Sequence, residues 1–336
     1  MAECTVLWLD GCFDGFHYAH ANAIRQSLTL VHGPVEIIVG VHSDAEITKN
    51  KGPPLFDERE RYDLIKGCRW VSRVVEDVPY VTQMDVFEKY GVDFVVHGDD
   101  PVMDADGNDC YAAAKALGKY KECRRTEGIS TTSLIQRILR PELPLPDQAP
   151  LISLLQAFAA SSSPHLDIKD LKRGHNNTTF AGHSDKKKIG YIGGSWDCFG
   201  SAHVDILQEA RSTLAKGRPS DGVFLIVGVY SDEAVLEETS EKPLLLMYER
   251  ALAVAQCLHT DALILNVPRD LGEAQMESFG IECVFLTNGE PSKTSARLSN
   301  VSIGKAASQL FTVDSLRTKV LGERGGYEER QRRKGG

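Results

Sequence analysis

The stretch DGCFDGFHYAH, Asp10 to His20, places two imidazoles three residues apart, just after a short apolar run and a turn bracketed by Gly11 and Gly15. Such a turn lets backbone amides face the end of the preceding strand. Amides at the positive end of a helix dipole attract anions. His17 and His20, three apart on a helix, project from one face. Two imidazoles over an anion-binding turn suit a triphosphate whose charge grows during substitution at phosphorus. Spacing alone leaves a plainer reading open, in which one histidine caps the helix and the other is a surface residue.

Three other groups fall near the same strand ends. KNKGPP puts Lys49 and Lys51 on an expected loop after the second strand, where lysines neutralise phosphate as mobile point charges. Solvated loop lysines are the competing reading, and it suits Lys49 better than Lys51. In CRRTEGISTTSLIQRIL, Arg124 to Thr126 close an expected strand and Gly128 makes a turn. Ser130 to Thr132 then open an amphipathic helix carrying Leu134, Ile135, Ile138 and Leu139. A helix N-terminus lined by hydroxyls and an arginine is a second phosphate cradle, although a plain cap needs only one Ser or Thr. VVHGDD ends another apolar run with a histidine and two carboxylates.

The elements that must position these groups are written twice. LWLDGCFDGFHYAHANAIRQS lies over GYIGGSWDCFGSAHVDILQEA with Asp14 over Asp197 and His20 over His203. VEIIVGVHSDAEI lies over VFLIVGVYSDEAV, ERYDLIKGCRW over YERALAVAQCL, and YGVDFVV over FGIECVF. The offset rises only from 183 to 189 across these segments, which marks a tandem duplication. Within the first copy, continuous apolar runs such as Thr5 to Leu9 and Val35 to Val41 read as strands buried on both faces. They alternate with helical spacing, as in Arg59 to Lys66 and Asp85 to Tyr90. Val71 to Val75 and Phe94 to Val96 supply further strands. Repeated βα units imply a parallel sheet with right-handed crossovers, whose ligands bind at the carboxyl ends of the strands.

The bulk numbers fit two such domains: 336 residues, 42% hydrophobic and 25% charged. A net charge of −9 disfavours non-specific nucleic-acid binding. Eight scattered cysteines with no Cys-x-x-Cys pair read as reduced thiols, so a soluble cytoplasmic protein is expected. The longest apolar runs are strand-sized, far short of the roughly 18 residues of a membrane span. The expected division is 1–140, a linker at 141–187 rich in proline and then polar residues, a second domain at 188–322, and a C-terminal tail at 323–336.

Taken together, HYAH and RTEGIST resemble the two signatures of the cytidylyltransferase family, His-x-Gly-His after the first strand and Arg-Thr-x-Gly-Ile-Ser-Thr before the last helix. ERYDLIKGCRWV is similar to the segment between them. The doubled architecture, VPYVT, HGDD, DGNDCYAAAK and the closing YEERQRRK resemble members that use phosphoethanolamine. The resemblance covers nearly the whole chain except the linker. It implies two tandem Rossmann-like nucleotidyltransferase domains, each an α/β parallel sheet with helices on both faces. It also implies transfer of CMP from CTP to phosphoethanolamine by direct attack on the α-phosphorus, with Mg²⁺ assisting. Phosphocholine or glycerol 3-phosphate is the alternative acceptor, and a silent nucleotide-binding regulator the alternative class. The lack of a long lysine-rich amphipathic tail argues against a membrane-regulated phosphocholine enzyme.

By the same resemblance, His17 and His20 hold the triphosphate and stabilise the pentacoordinate phosphorus. Lys51 bridges the attacking phosphate and the α-phosphate. Gly11, Cys12 and Phe13 belong to the nucleotide-binding turn. Arg125, Thr126, Ser130 and Thr131 bind nucleotide, with Arg69 and Asp14 in support. Asp10, Tyr80 and His97 form the amine end, where an acid and an aromatic face suit an ammonium ion. Two departures stand out. Ala19 occupies the family's glycine between the histidines, and the second copy has Gly200 over His17 and Ala307 over Arg125. That copy is expected to be catalytically dead, with His203 structural.

Overall fold

The computed structural model describes residues 4–104, 106–173, 180, 187–287, 299–303 and 312–335. The chain forms two compact units, one made of residues up to Pro146 together with those from Asp314 onward, the other of Asp147–Val313.

The first unit runs β1 (Thr5–Gly11), α1 (Tyr18–Ser27), β2 (Val35–Val41), α2 (Asp44–Lys51), α3 (Glu58–Lys66) and β3 (Arg73–Glu76). It continues with α4 (Val86–Lys89), β4 (Phe94–Gly98), α5 (Ala112–Ala116), β5 (Tyr120–Cys123) and α6 (Thr131–Leu139). The strand order is β3-β2-β1-β4-β5, with every pairing parallel. The order therefore reverses between β1 and β4, which opens a crevice at their carboxyl ends. The centres of β1 and β2 are buried, as their unbroken apolar runs require for a sheet covered on both faces. Trp8, Ile38, Val78, Val95 and Tyr111 pack in one core cluster.

The second unit begins with α7 (Ala149–Ala160) and β6 (Asp167–Asp170), then repeats the pattern. It has β7 (Lys188–Gly194), α8 (Ser201–Leu214), β8 (Val223–Tyr230), α9 (Asp232–Thr239), α10 (Met247–Ala255), β9 (Ala262–Val267), α11 (Glu273–Ser278), β10 (Cys283–Leu286) and β11 (Ser299–Ser302). The parallel order is β11-β10-β7-β8-β9-β6. Read from β9 to β11, this is the first unit's topology, with β6 added at the edge. Its core centres on Ile189, Tyr191, Phe224, Ile226 and Ile264. Two Rossmann-like α/β units in tandem are thus present. No helix among the described residues is long and apolar enough to cross a membrane.

Three expectations change. Residues 141–187 are more than a linker, because α7 and β6 within them are part of the second unit. LISLLQAF buries Leu151, Leu155 and Phe158, which draws it onto that core. Residues 323–336 are more than a tail, because α12 (Val313–Gly322) and α13 (Arg324–Gly335) close the first unit. Lys49 and Lys51 lie in the last turn of α2, not in a loop. Basic residues at a helix C-terminus complement its dipole, and Gly52, with φ of 100°, ends the helix at once.

Candidate functional site

The turn after β1 is held in an unusual backbone shape. Phe13 and Gly15 both have positive φ, 47° and 60°. A Cβ on Gly15 would also lie 3.2 Å from Leu55 and 3.3 Å from Leu134, so only glycine fits. The turn delivers the chain to His17, the N-cap of α1, whose carbonyl accepts from the His20 amide at 3.0 Å. The two imidazoles stack with centroids 3.9 Å apart at 14°. Phe16 stacks on the other side of His20 at 6.0 Å, and Phe13 meets its edge at 5.6 Å. Aromatic rings thus fix both histidines in a single column.

The RTEGIST segment is stitched to the same place. Thr131 Oγ1 donates to the Asp14 carbonyl at 2.8 Å, so the N-termini of α1 and α6 meet at one turn. Asn22 Nδ2 donates to Thr126 Oγ1 at 2.8 Å, and Gln26 exchanges hydrogen bonds with the Arg124 backbone. Ser130 caps α6 through a reciprocal pair with Ser133. Two helix dipoles then face one region, which favours an anion. Arg125 is exposed and paired with Asp100 at 2.5 Å. An exposed pair contributes little to stability, so this guanidinium can be handed to a ligand at small cost.

On the other side of β1 lies a polar pocket. Asp10 is buried and accepts three hydrogen bonds, from Trp8 Nε1 (2.9 Å), Thr82 Oγ1 (2.6 Å) and Tyr111 OH (2.9 Å). A carboxylate offers about four lone-pair sites, so one remains for a further donor. His97 stacks on Tyr111 at 4.7 Å, and His42 packs near Tyr80 at 5.1 Å. Burial holds both imidazoles below their ordinary pKa although Asp10 pulls the other way, which leaves them neutral at pH 7. Lys51 Nζ lies 3.5 Å from Cys12 Sγ and 5.4 Å from the Tyr80 ring centroid. The Cys12 sulfur, above all, raises its pKa, so it stays a cation.

The histidine column, Lys51, Asp10, Tyr80 and His97 therefore all gather on the turn after β1 and the neighbouring strand ends. Two expected residues are placed apart from the others. Asp14 accepts from the Leu55 and Phe56 amides at 2.9 Å each and is 1% exposed, so its carboxylate is spent on holding the following loop. Asp197 makes the same contacts with Leu244 and Leu245 in the second unit. A residue that does the same work in both copies belongs to the fold. Arg69 sits between α3 and β3, at the amino end of that strand. A helix after a strand runs back along the sheet, which carries Arg69 away from the carboxyl edge. Ser130 and Thr131 contribute as cap and turn anchor through their side chains. Sequence reasoning missed Trp8, His42, Thr82 and Tyr111; the histidine closing VGVH at a strand end was the one available signal.

The second unit keeps the scaffold. Trp196 and Cys198 repeat the positive φ values at 56° and 50°, and His203 stacks on Phe199 at 5.2 Å as His20 does on Phe16. Its Nδ1 accepts from the Gly200 amide at 3.0 Å, and burial lowers its pKa to about 4. Arg250 reproduces the contacts of Arg61, each gripping three backbone carbonyls and an aspartate. Several of the candidate residues are different, however. Gly200 replaces His17, Gly193 replaces Asp10, and Tyr191 crowds the site so that a Cβ on Gly228 would lie 2.2 Å from its hydroxyl. Lys242 is exposed beyond the end of α9. Ala307 lies outside the described residues.

Ala19 lies in the first turn of α1, between the two histidines in sequence. Ala19→Gly is expected to leave kcat/KM for CTP unchanged or raise it, because a bare backbone lets phosphate approach more closely. Its melting temperature should fall slightly, since glycine within a helix costs about 0.5–1 kcal/mol. A clear loss of kcat/KM in steady-state assays would reject this.

Both units match known proteins. The cytidylyltransferase-like family model matches residues 8–137 and again residues 191–301. A probable ethanolamine-phosphate cytidylyltransferase of Schizosaccharomyces pombe is 34% identical over 356 residues, covering 98% of this chain and 94% of the relative. Ethanolamine-phosphate cytidylyltransferase of Mus musculus is 32% identical over 308 residues, covering 83% of this chain and 74% of the relative. Choline-phosphate cytidylyltransferase 2 of Arabidopsis thaliana is 39% identical over 136 residues, only 40% of this chain and 44% of the relative.

Proposed function

The chain belongs to the ethanolamine-phosphate cytidylyltransferase family, and from that premise we propose that it transfers CMP from CTP to phosphoethanolamine. The products are CDP-ethanolamine and pyrophosphate. The observation that carries this reading is coverage: relatives named for ethanolamine phosphate align through both units, while the choline-phosphate relative aligns over 40% of the chain.

The reaction needs no covalent enzyme intermediate, so the rate comes from positioning and charge stabilisation. In this proposal the triphosphate lies on the turn after β1, where the N-termini of α1 and α6 supply amides and dipoles. His17 and His20 donate to the phosphate oxygens as negative charge grows on the α-phosphorus. Their stacking limits each ring to one orientation. Lys51 neutralises the attacking phosphate against the α-phosphate. Arg125 exchanges Asp100 for nucleotide phosphate. The ammonium of phosphoethanolamine takes the fourth lone-pair site of Asp10, with Tyr80 and His97 as its walls.

Mg²⁺ enters as a companion of the triphosphate. Among the described residues no three His, Cys, Asp or Glu side chains converge as a metal site. Phosphate oxygens of the triphosphate would supply hard ligands for the ion. Eight free thiols support a reducing, cytoplasmic setting.

Incubating the protein with CTP, Mg²⁺ and either phosphoethanolamine, phosphocholine or glycerol 3-phosphate, then measuring pyrophosphate, tests the reading. Release with phosphoethanolamine at the highest kcat/KM is expected. A higher value with another acceptor would replace the substrate, and no release with any would leave a nucleotide-binding protein.

A further inference from the structure

The segment that follows Lys51 is held by side chains from the far end of the chain. The Pro53 carbonyl accepts from Arg330 Nη1 at 2.6 Å, the Pro54 carbonyl from Tyr327 OH at 3.1 Å, and the Leu55 carbonyl from Lys319 Nζ at 3.0 Å. Three successive carbonyls are thus each taken by a donor on α12 or α13. From the opposite side, Asp14 takes the Leu55 and Phe56 amides and pairs with Arg330 Nη1 at 2.7 Å. This ion pair is closed to solvent, with side-chain exposures of 4% and 1%. The backbone beside Lys51 runs close to α13, where a Cβ added to Gly52 would lie only 3.3 Å from Arg330 Cβ.

A buried ion pair is weak evidence for stability, because desolvation offsets most of its attraction. Its best-attested use is to fix register. What this pair fixes is the backbone directly after Lys51. The Lys51 ammonium stands on a flexible four-carbon stem, so its placement depends on how firmly that stem's backbone is anchored. On α13 the buried residues Tyr327 and Arg330 are three apart and share one face, while Arg324, Gly325, Gly326 and Arg332 are exposed. That face carries the two side chains that grip the loop.

We propose that Arg330 and Tyr327 are positioning residues for CMP transfer, holding residues 53–55 so that the Lys51 ammonium meets the reacting phosphates. This rests on the role given to Lys51 in the proposed function.

The test uses the full-length protein with CTP, phosphoethanolamine and Mg²⁺. Arg330→Ala is expected to lower kcat by roughly 10–10²-fold, the scale of a misplacement of about 1 Å, with KM for CTP changed little. Arg330→Lys should restore part of the loss. Tyr327→Phe removes a single donor and should lower kcat about threefold, a milder misplacement of the same kind. Each substitution is then repeated in a Lys51→Ala background. If the two residues act through Lys51, their effects on the residual turnover disappear there. Equal losses with and without Lys51 overturn the proposal, as do folded variants that turn over like the unaltered protein. If Arg330→Ala does not fold, the Tyr327→Phe cycle decides alone. An unaltered protein that releases no pyrophosphate overturns the function and this inference with it. An active protein with indifferent variants overturns only the inference.

Discussion

His20→Ala is expected to lower kcat by roughly 10²–10³-fold, the usual effect of removing one donor aimed at developing transition-state charge. His203→Ala, its counterpart in the second unit, is expected to leave turnover unchanged. The two histidines share a scaffold, which makes the contrast informative. Each stacks on a phenylalanine one turn earlier, at 15° in both cases, and each is edge-on to an aromatic residue with positive φ. They differ in company. His20 has His17 stacked against it at 3.9 Å, whereas His203 accepts from the Gly200 amide and has no partner imidazole at the N-cap. His203→Ala should therefore cost stability, on the order of 1 kcal/mol for a lost cap, and appear in the melting temperature alone. Steady-state assays and thermal denaturation of both variants check this. Equal losses of turnover would mean that the second unit takes part in catalysis.

Lys51→Ala is expected to lower kcat/KM by about 10²–10³-fold with little change in melting temperature. The stability effect is small because the ammonium lies beside a thiol at 3.5 Å and an aromatic face at 5.4 Å, neither of them a carboxylate. The kinetic effect is large because this ammonium would be the nearest cation to the attacking phosphate. Lys51→Arg should recover only part of the rate, since a planar fork does not substitute for a compact point charge. Lys49→Ala, two residues earlier and so on nearly the opposite face of the same helix, should stay within about twofold, as expected of an exposed surface charge. A Lys51→Ala protein within tenfold of the unaltered one would remove Lys51 from the proposed chemistry.

Much of the site is legible in the sequence because its parts are local. DGCFDGFHYAH encodes a strand end, a turn and a helix start within eleven residues, so the histidine column follows from short-range geometry. RTEGIST does the same for α6. The less legible parts are pairwise and distant. Asp10 looks like a substrate ligand in isolation, yet three buried donors from Trp8, Thr82 and Tyr111 already share it. Asp14 sits among phosphate-binding residues in the sequence, but its carboxylate faces the loop at Leu55 and Phe56. Arg69 belongs to a recognisable motif and still ends at the other edge of the sheet, because α3 runs back from the site.

The sequence by itself determined the doubled α/β architecture and the absence of counterparts to His17 and Asp10 in the second copy. Periodicity, turn residues and missing side chains are written locally and repeat at a nearly constant offset. Only the tertiary structure decided that the last helix of the chain belongs to the first unit. RGGYEERQRRKG has almost no apolar pattern to announce a buried face. Its Tyr327 and Arg330 become interior residues because carbonyls and a carboxylate more than 270 positions away along the chain are there to receive them. Hydrogen-bond partners at that separation are set by packing, which no local pattern of residues records.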